Sequence, residues 1–276
     1  MSLTVVLVSC STTDSSAGQY TAIAAGGLHS CAIRADQTIA CWGWNDDGQA
    51  DPPTGQYTAI AAGVSHSCAI RADQTISCWG DNLFGKIDPP AGQHTAIAAG
   101  NSHSCALRTD NAIACWGTYA AGLADTPTDQ HTAIAAGSRH TCGLRTDSTI
   151  ACWGDNWAGQ ADPPIGQYTA IAAGSDHSCA VRADDTIACW GWNGYGQADP
   201  PAGQHTAIAT TAFHSCAIRA DQTIACWGLN DDGQANPPAG QHTAIATGHY
   251  HSCAIRADQT ISCWGWNDAG QADPPQ

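Results

Sequence analysis

Seven histidines, His29, His66, His103, His140, His177, His214 and His251, stand 37 residues apart along the chain. The residues around them repeat with the same period, without one insertion or deletion, in units beginning at residues 18, 55, 92, 129, 166, 203 and 240. A period of this length marks a structural unit that cannot bury its apolar surface alone and must stack on its neighbours. The repeats account for residues 18–276, and residues 1–17 are set apart as a leader.

One unit reads Tyr20-Thr-Ala-Ile-Ala-Ala25, a short gap, His29-Ser-Cys-Ala-Ile-Arg34, a turn at Ala35-Asp-Gln37, Thr38-Ile-Ala-Cys-Trp42, and then a connector rich in Gly, Asn, Asp and Pro. Short runs of β-branched, aromatic and small residues between turn residues read as strands, here A (20–25), B (29–34) and C (38–42). Pro52-Pro53 cannot sit inside a hydrogen-bonded ladder, so the connector is an extended link rather than a fourth central strand. Glu is absent from the chain, Lys and Met occur once each, and there are 29 Gly and 13 Pro, which fits an all-β fold. Three-stranded sheets of this size are too small to stand alone. No unit carries a polar outer face that would cap an open solenoid, so a closed seven-bladed β-propeller is expected.

The unit core Ala-Ala-Gly-x-x-His-Ser-Cys-Ala-Ile-Arg-x-Asp-x-Thr-Ile-x-Cys-Trp-Gly-x-Asn-x-x-Gly-Gln resembles the repeat of the regulator of chromosome condensation superfamily. The short connector Gln-Ala-Asp-Pro-Pro-x-Gly-Gln is more similar to the bacterial branch that holds the propeller-type β-lactamase inhibitor proteins, whose blades have three strands. The resemblance implies a propeller, and because the superfamily hosts many activities it leaves function to be argued from the residues.

Fourteen of the 15 cysteines form pairs ten apart: Cys31 and Cys41, Cys68 and Cys78, Cys105 and Cys115, Cys142 and Cys152, Cys179 and Cys189, Cys216 and Cys226, Cys253 and Cys263. Counting outward from a hairpin centred on Asp36 sets Cys31 opposite Cys41. In a non-hydrogen-bonded pair their Cα atoms would lie about 4.5 Å apart, within reach of a disulfide. Seven such bridges point to an oxidising compartment, at the cell surface or outside a bacterial-type cell. The competing reading is a zinc site in each blade from His29, Cys31 and Cys41, for which no fourth ligand recurs. The odd cysteine, Cys10, ends Leu7-Val8-Ser9-Cys10, which resembles a lipoprotein lipobox and makes Cys10 a lipidation candidate, although no basic residue precedes it.

Seven equivalent histidines make a poor single active site, and the expected role of His29 and its copies is a hydrogen bond to a backbone carbonyl between blades. Arg34 and Asp36 recur together and are expected to pair at the B–C turns. The formal net charge of −15 argues against nucleic acid as a partner, and no stretch of 18 apolar residues exists to span a membrane as a helix.

The copies diverge in two places, the two residues before each histidine and the four after Trp-Gly. Strand direction brings both to one rim. Apart from the strand aromatics, every ring in the chain falls there: Trp44, Phe84, Tyr119, Trp157, Trp192, Tyr195, Phe213, Tyr250 and Trp266. Asp46 and Asp47 are among the acids interspersed with them. Aromatic anchors with polar neighbours on loops are the composition of a protein-binding surface. A carbohydrate-binding face and a purely structural module are the alternatives. No unit has a nucleophile and base that the others lack, so neither catalysis nor a cofactor is expected.

Overall fold

A computed structural model describes residues 18–117 and 126–275. The first unit forms β1 (Tyr20–Ala25), β2 (His29–Arg34) and β3 (Ile39–Gly43), one antiparallel sheet in the order β1-β2-β3, and every later unit repeats it. The 21 strands among the described residues form seven sheets, each made wholly from consecutive strands, so no strand is exchanged between blades. The third strand lies one residue later than expected, at 39–43 rather than 38–42. Gln37, in the left-handed region at φ 70°, and Thr38 are absorbed by the turn, with the Gln37 amide donating to the Arg34 carbonyl at 2.9 Å.

Side chains alternate across β2, and both faces are buried because each blade is sandwiched between two others. Cys31 and Ile33 pack forward on Tyr57, Ala69 and Trp79 of the second blade, whereas Ala32 packs backward on Cys253 and Ile255 of the seventh. The apolar core therefore lies between sheets and closes into a ring, which an open stack of repeats could not do.

Two belts of hydrogen bonds tie the ring together. At the turn end, the first residue of each inner strand donates to the left-handed turn residue of the preceding blade, as Tyr57 does to the Gln37 carbonyl at 2.9 Å. Tyr20 makes the same bond to the Gln259 carbonyl and joins the first blade to the seventh. At the other end the Gly27 amide reaches Gly63, Val64 reaches Gly100, Asn101 reaches Gly137, Ser138 reaches Gly174 and Ser175 reaches Thr211, at 3.1–3.4 Å. The Thr211 hydroxyl carries the series to Gly248 at 2.8 Å, and the His249 amide returns to Gly27 at 3.3 Å.

All seven cysteine pairs are disulfides within one blade. Cys31 and Cys41 are register partners with Cα atoms 4.0 Å apart, somewhat closer than expected. The same bridge joins Cys68 to Cys78, Cys105 to Cys115, Cys142 to Cys152, Cys179 to Cys189, Cys216 to Cys226 and Cys253 to Cys263, at Cα separations of 4.0–4.1 Å. The spacing treats the two members of a pair alike, and the structure does not. The middle-strand cysteine of every pair is fully buried, whereas Cys41, Cys78, Cys115, Cys152, Cys189, Cys226 and Cys263 are only partly buried. They sit on the third strand, the outermost of each sheet, which has a hydrogen-bonded neighbour on one side alone. The bridges take up all fourteen sulfurs, so the zinc reading is excluded. The leader, with Cys10, lies outside the described residues. No helix among those residues is long and apolar enough to cross a membrane.

Candidate binding rim

The frame beneath the rim starts with the histidines. Nε2 of His29 lies 2.8 Å from Oγ of Ser67 in the next blade, and the Ser67 hydroxyl donates to the Gln49 carbonyl at 3.2 Å. With that hydroxyl proton committed, Nε2–H of His29 must donate to the serine oxygen, leaving Nδ1 unprotonated and without a partner. This corrects the expected bond to a backbone carbonyl. The carbonyl is present, but the serine stands between it and the imidazole. The contact repeats around the ring and closes with His251 on Ser30, at 2.8 Å. Burial pushes the His29 imidazole down to about 4 and that of His177 to about 3, so these groups are neutral near pH 7.

The expected Arg34–Asp36 pairing is also corrected. The Asp36 carboxylate accepts from the Thr38 amide at 2.9 Å and the Thr38 hydroxyl at 2.7 Å, and these bonds hold it below the usual carboxylate range. Arg34 turns to the Thr38 hydroxyl and the Ile39 carbonyl. Among the described residues only Arg108 and Asp110 of this set form an ion pair, at 3.7 Å. There residue 112 is Ala, which offers no hydroxyl.

Most of the divergent loops are held by residues that recur from unit to unit. In the first unit the Asn45 side chain accepts from the Ala50 amide, Gly48 turns the chain at φ 76°, and buried Gln49 accepts from the Asp47 amide. The Gln49 backbone carbonyl receives both Ser67 and the Trp79 indole N–H of the next blade. The same Asn, Gly and Gln recur in the fourth to seventh units and fix the base of the loop there while its tip varies. In the first unit Asp46 and Asp47 occupy that tip, exposed.

The two divergent stretches meet as expected. The Trp44 amide donates to the Leu28 carbonyl at 2.8 Å, Trp192 to Asp176 at 2.8 Å, and Trp266 to Tyr250 at 2.8 Å. Within each pair before the histidine the roles split. The first residue, such as Val64, Asn101, Ser138, Ser175 or His249, lines an axial cavity of about 100 Å³, and the second faces the loop.

The candidate rings are unevenly distributed. Trp192 contacts Tyr195 edge-on at 5.2 Å between centroids, Tyr195 contacts Phe213 at 5.7 Å, Phe213 contacts Tyr250 at 5.7 Å, and Tyr250 contacts Trp266 at 6.3 Å. These five make a continuous arc over the fifth, sixth and seventh blades. Its members are half-buried except Tyr195, which is 49% exposed. Trp44, Phe84 and Trp157 stand exposed on the other blades, with Trp157 donating its indole N–H to Asp176 at 3.1 Å. Tyr119 lies outside the described residues.

Two features of the rim escape sequence reasoning. His249 stands outside the 37-residue series, yet it both lines the axial cavity and touches Tyr250, with centroids 6.2 Å apart. Lys86 replaces the loop-base glutamine of the second unit and is buried, its ammonium 2.6 Å from the Asp81 carboxylate. The only signal for either was a departure from the repeat at one position.

Fold and rim together define a disulfide-stapled propeller built from single-repeat blades, with a frame repeated almost unchanged and one divergent face. Segments 20–49, 57–86, 95–118, 132–160, 168–197, 206–234 and 243–271 match the Regulator of chromosome condensation (RCC1) repeat, and the chain belongs to that family. No curated protein matches the chain significantly. Among solved structures, it is similar to the ectodomain of the Physcomitrella patens receptor kinase CR4, with TM-score 0.78 and 24% identity over 90% of this chain and 74% of that one. The CRINKLY WD40 ectodomain of the Arabidopsis thaliana receptor kinase ACR4 gives 0.76 and 24% over 90% and 98%. Prp20p from Saccharomyces cerevisiae gives 0.55 and 17% over 92% and 74%.

Proposed function

We propose that the protein is a non-catalytic extracellular binding module, secreted or tethered at the cell surface, which recognises another protein through the rim of divergent loops. The observation that carries this reading is the segregation of variation. A frame repeated almost unchanged supports loops that collect the non-scaffold aromatics and many of the acids on one face. Seven disulfides are characteristic of an oxidising compartment, and two similar folds are receptor kinase ectodomains, which supports an extracellular setting. Buried histidines with lowered proton affinity, locked to serines through Nε2, are poor general bases.

Inhibition of a secreted enzyme, with the rim capping its active site, is the concrete form suggested by the resemblance to the bacterial propeller-type β-lactamase inhibitors. A carbohydrate ligand stacked on exposed Trp44 and Trp157 is the competing reading. Hydrogen exchange of the protein with the secretome of its source should protect amides of the divergent loops and leave the B–C turns unchanged. Protection at the turns instead, or glycan binding lost on Trp44→Ala, would remove the proposal. Inhibition of a serine β-lactamase panel at nanomolar protein would establish the concrete form, and its absence at micromolar protein would discard that form alone.

A further inference from the structure

We infer that the aromatic arc of blades five to seven is the seat for a cationic, Arg- or Lys-bearing segment of the partner protein. The inference rests on the rim being the binding face and goes further by naming the half that anchors the partner and the chemistry it accepts.

Charge placement carries the argument. Of the nine basic residues, seven are arginines that end the middle strands, as Arg34 does, at the opposite end of the propeller. The other two, Lys86 and Arg139, belong to loops of the second and fourth blades, and Lys86 is already buried against Asp81. The rim of blades five to seven therefore holds no cation. It does hold exposed carboxylates at Asp231, Asp232 and Asp268, beside Asp176, which is half-buried. Ring faces attract cations through their quadrupole, and exposed carboxylates nearby add attraction of the same sign. His249, touching Tyr250, adds no opposing charge, because burial lowers its proton affinity. An acidic segment would be repelled here, and a neutral one would leave the carboxylates without a counterpart.

A second copy of the chain is a poorer occupant, since most of the arginines it could offer, Arg139 and Arg182 excepted, are engaged within their own blades. Arg34 bonds Thr38 and the Ile39 carbonyl, and Arg71 lies over the Tyr57 ring at 5.3 Å.

Calorimetric titration of the intact protein with acetyl-(Gly-Arg)4-amide, at roughly 50 mM and 300 mM salt, tests the inference. Binding is expected, weakened by salt. Phe213→Ala with Tyr250→Ala should weaken it about tenfold or more, and Asp231→Asn with Asp232→Asn about threefold or more, the latter being exposed and harmless to the fold. A control set, Trp44→Ala with Asp46→Asn and Asp47→Asn, removes one exposed ring and two carboxylates on the first blade and should change affinity less than about twofold. No binding, equal loss in both sets, tighter binding of the (Gly-Glu)4 peptide or of cellohexaose, or self-association in sedimentation would each overturn it. Partner-dependent exchange protection confined to blades one to four would overturn this inference while leaving the rim reading intact. Absence of protection anywhere on the rim would remove both.

Discussion

At Gly26 a side chain has no room, because a Cβ would overlap the Gly63 carbonyl oxygen and the ring of His29. The glycine recurs for that reason in every unit except the sixth. There Thr211 is accommodated by a longer bond from its amide to the His214 carbonyl, 3.2 Å against 2.8 Å in the first unit, while its hydroxyl takes over the link to Gly248. Gly26→Ala should therefore destabilise the protein by about 1–3 kcal/mol, the usual cost of overpacking a closed site, measured by urea unfolding. A change under about 0.5 kcal/mol would mean that the belt around the axis relaxes freely. The lone turn ion pair teaches the same lesson. Asp36 prefers its local Thr38 donors to a mobile arginine, and Asp110 pairs with Arg108 where Ala112 removes the hydroxyl. Recurrence of two charges in a sequence does not establish that they meet.

At the scale of the hairpin, local rules reach furthest. The turn at Asp36, the pairing of Ile33 with Ile39 and of Cys31 with Cys41, and the connector outside the sheet all follow from spacing and turn chemistry. The disulfide lies across this hairpin and closes a short loop, so chain entropy limits its contribution to about 3 kcal/mol. Replacing Cys31 and Cys41 together with Ala should lower unfolding free energy by about 1–3 kcal/mol and leave the other blades folded, as read by exchange protection. Loss of the whole ring on removal of one bridge would show that the blades are coupled more tightly than nearest-neighbour stacking implies.

The whole molecule depends on histidines that must stay neutral. Each of the seven, His29 through His251, is buried against a hydroxyl of the next blade, and burial depresses its pKa to about 3 or 4 from an ordinary 6.5. Because the folded value lies below the unfolded one, their contribution is complete above pH 6.5 and is lost as the pH falls from there toward 4 and 3. The slope is about 1.4 kcal/mol per pH unit for each histidine that protonates on unfolding, so seven acting together give a steep acid transition. Urea midpoints should be level between about pH 8 and 7 and fall sharply by about pH 5. A flat profile over that range would mean the imidazoles gain a counter-charge or solvent in the folded state. The turn aspartates, held low by their threonine donors, add to the loss only at more acidic pH.

The sequence by itself determined the blade: its period, its three strands, its hairpin register, its disulfide and the rim at which its copies diverge, because these are set by contacts close along the chain. Only the tertiary structure decided how blades join. Contacts there link residues 38 apart, as His29 with Ser67, or 221 apart where His251 meets Ser30 and the ring closes. Which face of a strand points forward, that a serine stands between histidine and carbonyl, and that five of the rim's rings touch while Trp44 and Trp157 lie outside that chain of contacts all depend on the angle between neighbouring sheets. That angle comes from packing across the interface, which no pattern within one repeat encodes.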